Sequence, residues 1–486
     1  MNPRGLITAG VLVAAAPGCL LHAVDTDPQP PLELPDAFAA GRADAVDPGP
    51  WWTRFDDREL EALMDRALTD NFQLRQARAR VAQASFLEKA AAAGLFPQVN
   101  ATVGASRSQS PPRVFNLGGQ EQEIPGVEAD NFSASLPVSY ELDVWGRVRA
   151  GMLAAEQDRI AAAAEVETLA ITIAANVTER WFDLLEQRSL RRLVQTQVET
   201  NRTNLRLVEL RFTEGDAALN DILQQRQQIQ VLEAQLALVK GQERVAEQQL
   251  AALLGTTVRG ITSPTRTELP EPPPLPDAGV PARLLERRPD VRAAKARVVA
   301  SDYRVAQAIA NRLPQLSLSG SIGFNSVTLG SFFESFIWSI AGNIAGTVWD
   351  GGRLDAEIAR NKAVVDERVA AYGQALVTAL TEVESALVQE RAGRERIAIL
   401  EGQVATAEQT LEAARRRFSA GIGNYLAVLT ALRSLQGAEQ TLLTTRRQLL
   451  SQRIQVYRAL GSEWTRRLPA PDDDDDDAPV KKASPS

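Results

Sequence analysis

From Gly146 to Phe212 the chain has no proline and a single internal glycine, and its apolar residues return every three or four positions: Leu184, Leu185, Leu190, Leu193, Val194, Val198, Leu205, Leu207 and Leu210. That spacing predicts one amphipathic helix over 146–212. At about 1.5 Å per residue, roughly 65 residues reach on the order of 100 Å, far beyond the helices of a compact globule. A second stretch of the same character runs from Arg353 to Phe418, predicting a helix over 353–418. Helices of this length must bury their apolar stripes against neighbours equally long, so a bundle or coiled-coil cylinder is implied.

Upstream of each long helix the period changes to two. Over Asn131 to Asp143, Phe132, Ala134, Leu136, Val138, Tyr140 and Leu142 alternate with Ser133, Ser135, Ser139 and Glu141, with Pro137 out of pattern. Val99, Ala101, Val103 and Ala105 form a similar face. In the second half Leu316, Leu318, Ile322 and Phe324 share one face, and Phe336, Trp338, Ile340, Ile344 and Val348 another. The pattern predicts four strands in two hairpins, 98–143 and 315–349. Each strand approaches the length that spans a membrane when tilted, with one apolar and one serine-rich face, the signature of an outer-membrane barrel; a soluble sandwich is the alternative. Four strands cannot close a transmembrane barrel, because open edges in lipid leave backbone groups unsatisfied, so a barrel requires several chains. Two chains give eight strands and a filled lumen, three give twelve and a wet one, which the serine-rich faces favour.

The chain repeats itself. Arg211-Phe212-Thr213-Glu214-Gly215 returns 206 residues later as Arg417-Phe418-Ser419-Ala420-Gly421, and Leu254-Gly255 returns as Leu460-Gly461. Phe96-Pro97-Gln98 answers Leu313-Pro314-Gln315, and Trp145-Gly146-Arg147 answers Trp349-Asp350-Gly351-Gly352-Arg353. Two similar halves follow, 51–255 and 281–461, each reading helix, hairpin, long helix, turn, helix, with the last helices at 221–254 and 426–460. A proline-rich crossing segment, 256–280, joins them. The turns Gly215 to Asn220 and Gly421 to Tyr425 end the two long helices, so they are expected together at the end of the bundle opposite the strands. Trp145 and Trp349, expected to end the second strands, read as rim aromatics or packing, with Gly146 and Gly352 giving freedom where strand becomes helix before Arg147 and Arg353.

Composition removes most catalytic chemistry. The only histidine and cysteine are His22 and Cys19, so the body offers no His or Cys nucleophile, thiolate metal site or disulfide. No phosphate-binding Gly-x-x-x-x-Gly-Lys-Ser/Thr run occurs, and carboxylates such as Glu382 and Glu384 lie two apart, on different helix faces. Neither an enzyme, a cofactor nor a metal is implied. The net charge of −8 is mostly the run Asp472 to Asp477, so nucleic acid is not an expected partner and residues 462–486 read as a disordered acidic tail. At the start, Arg4, an apolar run from Leu6 to Ala16 and Pro17-Gly18-Cys19 read as a secretory signal over 1–18. A cysteine after a small residue there resembles a bacterial lipoprotein signal, in which the thiol is acylated; a cleaved leader with an incidental cysteine is the alternative. Residues 19–50 would then be a lipidated extended tether, and Leu20 after Cys19 resembles the state sorted to the outer membrane.

The cysteine signal, Trp51-Trp52-Thr53-Arg54-Phe55-Asp56-Asp57, Tyr140-Glu141-Leu142-Asp143-Val144-Trp145-Gly146-Arg147 and Arg287-Arg288-Pro289-Asp290, in this order, strongly resemble the outer membrane factor family, the TolC-type exit ducts, over about residues 50–462. The lipoprotein signal resembles its drug-efflux branch. The resemblance implies a mixed α and β membrane protein: a homotrimer with a twelve-stranded β-barrel, four strands per chain, continuous with a long α-helical barrel. It further implies a periplasmic adaptor and an inner-membrane transporter as partners, outer membrane lipid around the barrel, and a Gram-negative outer membrane location reaching into the periplasm. A duct for secreted polypeptides is the alternative within the family, and a lipid-anchored structural coiled-coil protein the alternative outside it.

In the family an Asp of the first turn is held by a Tyr and an Arg of the second, a latch closing the inner end. Asn220 and Asp221 match its first half, whereas Phe418 stands where the hydroxyl belongs and Gly423 where the guanidinium belongs; Arg417 or Arg433 are the candidate substitutes. The acidic ring that some relatives carry past the second turn falls here on Ala427 and Thr430. The expectation is a constriction closed by apolar contact with Leu426 as its candidate, against ordinary helix packing for that residue. Asp216 and Asp221 would add negative potential, or cap the helix that follows.

Overall fold

The structure, a computed structural model, describes residues 21–38, 49–117, 120–260, 265–276, 281–283 and 287–467. The signal sequence, Cys19, part of the crossing segment and the acidic run Asp472 to Asp477 lie outside these residues. In chain order the elements are α1 (Arg58–Asp70), α2 (Phe72–Ala93), β1 (Gln98–Val99), β2 (Thr102–Gln109), β3 (Arg113–Leu117), β4 (Gln120–Ile124), β5 (Glu128–Leu142), α3 (Arg147–Thr213), α4 (Leu219–Leu253), α5 (Pro289–Ala310), β6 (Gln315–Ser326), β7 (Phe336–Ala345), α6 (Arg353–Ser419) and α7 (Tyr425–Leu460). The long helices α3 and α6 have 67 residues each. The helices after the turns start earlier than expected, at Leu219 and Tyr425 rather than 221 and 426.

The chain divides into two compact units. The first comprises residues up to Gln29, Gln83–Ile160 and Lys295–Ala370. It holds an antiparallel sheet in which β1 and β2, one strand interrupted at Asn100 and Ala101, pair with β5, β5 with β6, and β6 with β7. Register puts Leu136, Val138, Tyr140 and Leu142 on the face of Ile322, Gly320, Leu318 and Leu316, and these beside Trp338, Ile340, Gly342 and Ile344. The opposite face carries Ser135, Ser139, Ser317, Ser319, Ser321, Ser339 and Asn343. Pro137 sits in a central strand, where its carbonyl still accepts from Asn100 N–H at 2.9 Å. Gly323 is required by crowding: a Cβ there would meet the Ala134 carbonyl oxygen at 2.3 Å.

Two expectations are corrected in this unit. Between β2 and β5 the chain makes a further hairpin, β3 with β4, that the alternation did not reveal. The second strands also stop early, at Leu142 and Ala345, so Val348, Trp145 and Trp349 lie beyond them. Residues 21–29, part of the expected extended tether, are bonded along this unit. The His22 ring meets the Asp302 carboxylate at 2.6 Å, Asp25 N–H donates to the same carboxylate at 2.8 Å, Lys295 pairs with Asp27, and Val24 packs against Ala154, Val299 and Tyr303.

The second unit comprises Pro30–Ala82, Ala161–Ala294 and residues from Ala371 on. One 18-residue window of α3 is apolar enough to cross a membrane by composition. Here its Ala170, Ile173, Ala174 and Val177 enter the core, with Trp181, Phe182, Leu184 and Leu185. The Trp51 to Asp57 motif completes that core. Trp51 stacks on Tyr457 at 5.3 Å, Trp52 meets Trp464 edge-on, and Asp57 caps α1 through Glu59 and Leu60 N–H while accepting from Trp181 Nε1 at 2.9 Å. Trp464 belongs to a short 3-10 turn over Glu463–Arg467, so the folded chain runs past 462, where the tail was expected to begin. The duplicated glycines end matching helices: Gly255 and Gly461 both have positive φ, and a Cβ on them would meet the carbonyl oxygens of Asp70 and Arg287. Beside them Asn71 Nδ2 donates to Leu253 O at 2.7 Å, and Arg288 Nη1 to Ala459 O at 3.1 Å, the same position 206 residues on.

Arg453, fully buried, rests on Glu390, itself 2% exposed and also bound by Arg394. Removing the partner of a buried charge costs far more than breaking a surface pair. Glu390→Ala should therefore lower stability by about 3–5 kcal/mol. Glu401→Ala, which breaks the half-exposed pair with Arg446, should cost under about 1 kcal/mol. Denaturant titration of the purified protein compares the two.

Candidate functional site: the helical turns and the strand-to-helix junctions

At the first junction Asp143 accepts from Val148 and Arg149 N–H at 3.0 and 2.9 Å, capping α3, while Gly146 turns the chain with φ 70°. Arg147 grips Glu141 with two parallel bonds of 2.8 and 2.5 Å, which raises the guanidinium pKa, and the Trp145 indole N–H donates to Pro314 O at 2.7 Å. The second junction repeats the cap differently: Asp350 accepts from Gly352 and Leu354 N–H, each at 3.0 Å, over Gly351 and Gly352 of positive φ, and these bonds hold its carboxyl below the usual range. Arg353 opens α6, and Trp349 is 86% exposed.

The two turns close alike. Gly215, with φ 87°, donates its N–H to Phe212 O, and Asp216 N–H reaches back to Arg211 O at 2.8 Å. Gly421, with φ 72°, donates to Phe418 O, and Ile422 N–H to Arg417 O at 3.1 Å. These are paired carbonyl caps that need a residue in the left-handed region. Gly423 lies tight against the Arg417–Phe418 backbone, 3.2 Å from Phe418 N for an added Cβ.

The structure sets Asn220 and Asp221 in the first turn of α4, and Asp221 spends its carboxylate on Ala218 N–H at 3.1 Å, closing its own helix end. Arg433 goes to Gln228 Oε1 at 2.6 Å rather than to Asp221, and the exposed Arg417 side chain makes no hydrogen bond or ion pair among the described residues. The substitute latch through Arg417 or Arg433 is therefore not formed within the chain. Leu426 is 51% exposed on the first turn of α7, and Thr430 donates to its carbonyl at 2.8 Å.

Two groups that sequence reasoning passed over hold the turns together. Arg211, inside the duplicated motif, lies 4.6 Å over the Phe418 ring and donates to Phe418 O at 3.1 Å, so a cation sits on both the ring and the carbonyl end of α6. Tyr425 donates its hydroxyl to Gln225 Oε1 at 2.6 Å, and Gln225 in turn donates to the buried Asn201. Burial, then the charge of Asp221, pushes the Tyr425 phenol up, keeping it a neutral donor. The signal for Arg211 was its place beside Phe212 in a repeated motif; Tyr425 was hidden by being counted into the turn rather than the helix.

Farther along α3, Arg447 is held by Glu179 and Asp183, each at 2.6 Å. Burial pushes the neighbouring Glu186 carboxyl up from 4.5 to about 7, Arg447 opposing and Asp183 adding to the shift. The folded chain then binds this proton more tightly than the unfolded one, so stability should fall as pH rises from 4.5 to about 7. The slope would be at most about 1.4 kcal/mol per pH unit. Glu186→Gln should flatten that dependence in unfolding measured at pH 5, 6, 7 and 8.

A strand–helix chain of this organisation is found in bacterial outer membrane channels. The channel OprN has a solved structure that superposes with a TM-score of 0.83 at 26% identity, covering 92% of this chain and all of that one. The pyoverdine export outer membrane protein OpmQ of Pseudomonas aeruginosa is 32% identical over 434 residues, 88% of this chain and 90% of the relative. The toluene efflux pump outer membrane protein TtgF of Pseudomonas putida is 29% identical, covering 85% of each chain. A family model described as outer membrane efflux protein matches residues 63–256 and 280–462, and the chain belongs to that family. It is thus of the TolC type and not an enzyme.

Proposed function

We propose that the chain is one subunit of a homotrimeric exit duct for small amphiphilic compounds, driven by an inner-membrane transporter through a periplasmic adaptor. The observation that carries this reading is the sheet with one apolar face and two edges, β1/β2 and β7, that are unpaired among the described residues. In lipid those edges must find partners, and three copies supply twelve strands around a lumen lined by the serine face. Relatives named for pyoverdine export and toluene efflux support a small-molecule cargo over a polypeptide. With no nucleotide loop in the sequence, the subunit is passive and the driving force comes from its partners. Acylation of Cys19 would anchor each subunit in the outer membrane of a Gram-negative cell.

The turns are the proposed gate. With Asp221 committed to its own helix, closure falls to apolar side chains such as Leu426 rather than to a charge latch, with Gly215, Asp216, Gly421 and Gly423 shaping the surface the adaptor meets. Planar bilayers test this directly. The purified protein, trimeric by mass in detergent, should give small, steady channels, and Leu426→Ala should enlarge them. A monomeric mass without conductance would remove the duct.

A further inference from the structure

At the helical end of the serine face lies an open pocket of about 540 Å³, a volume within the range of small-molecule sites. All of its walls belong to the first unit. The sheet supplies Gln98, Ser139, Glu141 and Ser317, where Gln98 stands opposite Ser139 and Glu141 opposite Ser317. The end of α2, the first turns of α3 and Arg304 and Gln307 of α5 close the other sides. Glycines let these helices approach: a Cβ on Gly94 would meet the Val148 side chain at 2.9 Å, and one on Gly151 would meet Gln307 Nε2 at 2.6 Å.

The lining has a definite chemistry. Its charged side chains form two ion pairs, Arg147 with Glu141 and Arg304 with Asp158, so their formal charges cancel. Arg147 gives Nε and Nη2 to Glu141, which leaves its Nη1 group without a hydrogen bond among the described residues. The side chains of Gln98, Gln307, Ser139 and Ser317 make none among the described residues either, so two amides and two hydroxyls stand uncommitted around one space. Phe96, also in the lining, keeps 67% of its surface exposed. A charged ligand gains no net attraction from two closed ion pairs. A molecule that donates and accepts through many hydroxyls, and has an apolar face as well, uses both the free polar groups and the aromatic ring.

We infer that this pocket binds the ring of an uncharged carbohydrate, its hydroxyls bonding to Gln307, Ser317 and their neighbours and its C–H face lying on Phe96. On the duct reading above, the pocket is a station for sugar-bearing cargo on the wall of the passage; the binding itself does not depend on that reading.

Calorimetric titration of the purified full chain tests this, in a polyoxyethylene detergent because alkyl glycosides would compete. Among maltose, sucrose, lactose and trehalose, at least one should bind saturably in the millimolar range. Losing one neutral hydrogen bond is worth about fivefold in affinity, so Gln307→Ala and Ser317→Ala should each weaken that sugar by this factor, and Phe96→Ala by no less. Phe96→Ala changes an exposed side chain and keeps the test standing if either of the others fails to fold. Thr406→Ala, exposed on α6 in the second unit, should leave binding unchanged. No saturable binding by any of the four sugars, binding that survives all three pocket variants, or tighter binding of glucosamine or glucuronate than of every neutral sugar would overturn the inference. Steady channels from a trimer that binds no sugar leave the duct standing and remove the station, whereas sugar binding by a monomer that opens no channel keeps the pocket and removes the duct.

Discussion

A long helix ends in carbonyl groups that must be satisfied, and this fold meets that demand twice with the same positions. Gly255 and Gly461 turn the chain away so that Asn71 and Arg288 can reach Leu253 O and Ala459 O. At the other end of the helix pairs, Gly215 and Gly421 let Phe212, Arg211, Phe418 and Arg417 carbonyls find N–H partners from the turn. Everything between those caps can then be amphipathic helix without interruption, and the core around Trp181, Phe182 and Tyr457 packs along it. The motifs that read as family marks act as fasteners for these ends: Trp51 to Asp57 caps α1 and stacks on Tyr457, and the Arg288–Pro289–Asp290 run ties a helix start to Glu382 and to a carbonyl end.

The sheet obeys a different demand. Its apolar face is exposed, and among the described residues its outer strands carry unpaired backbone on one side. In water such a surface invites aggregation, whereas in a bilayer the face is at home and only the edges are costly. The proposed trimeric duct would resolve that tension, setting lipid against the face and other strands against the edges.

Most of the architecture was legible because it is periodic. Period 3.6 located α3 and α6 to within a residue at each end, and period two put Leu136, Val138, Tyr140 and Leu142 on one face of their strand and Leu316, Leu318 and Ile322 on one face of theirs, which the register joins. What failed to show was aperiodic. The β3–β4 hairpin lies in a stretch without alternation, and the strand ends were overrun because Val144 and Val348 continue the apolar spacing after the ladder has stopped. Roles of side chains at the turns were harder still. Asp221 looks like half of a latch in one dimension, yet three residues of helix geometry hand its carboxylate to Ala218 N–H first. Arg211 was visible as part of a repeated motif, but its ring partner is 207 residues away and only folding names it.

The segment 21–29 carries a consequence for how the molecule is made. His22 meets Asp302 across 280 positions of chain, and Lys295 pairs with Asp27 across 268. A polypeptide emerging N-terminus first exposes these residues long before their partners exist, so the earliest part of the chain to be synthesised is among the last to find its place. Until synthesis reaches α5, His22 and Asp27 lack the Asp302 and Lys295 side chains that hold them, so this part of the attachment is made late.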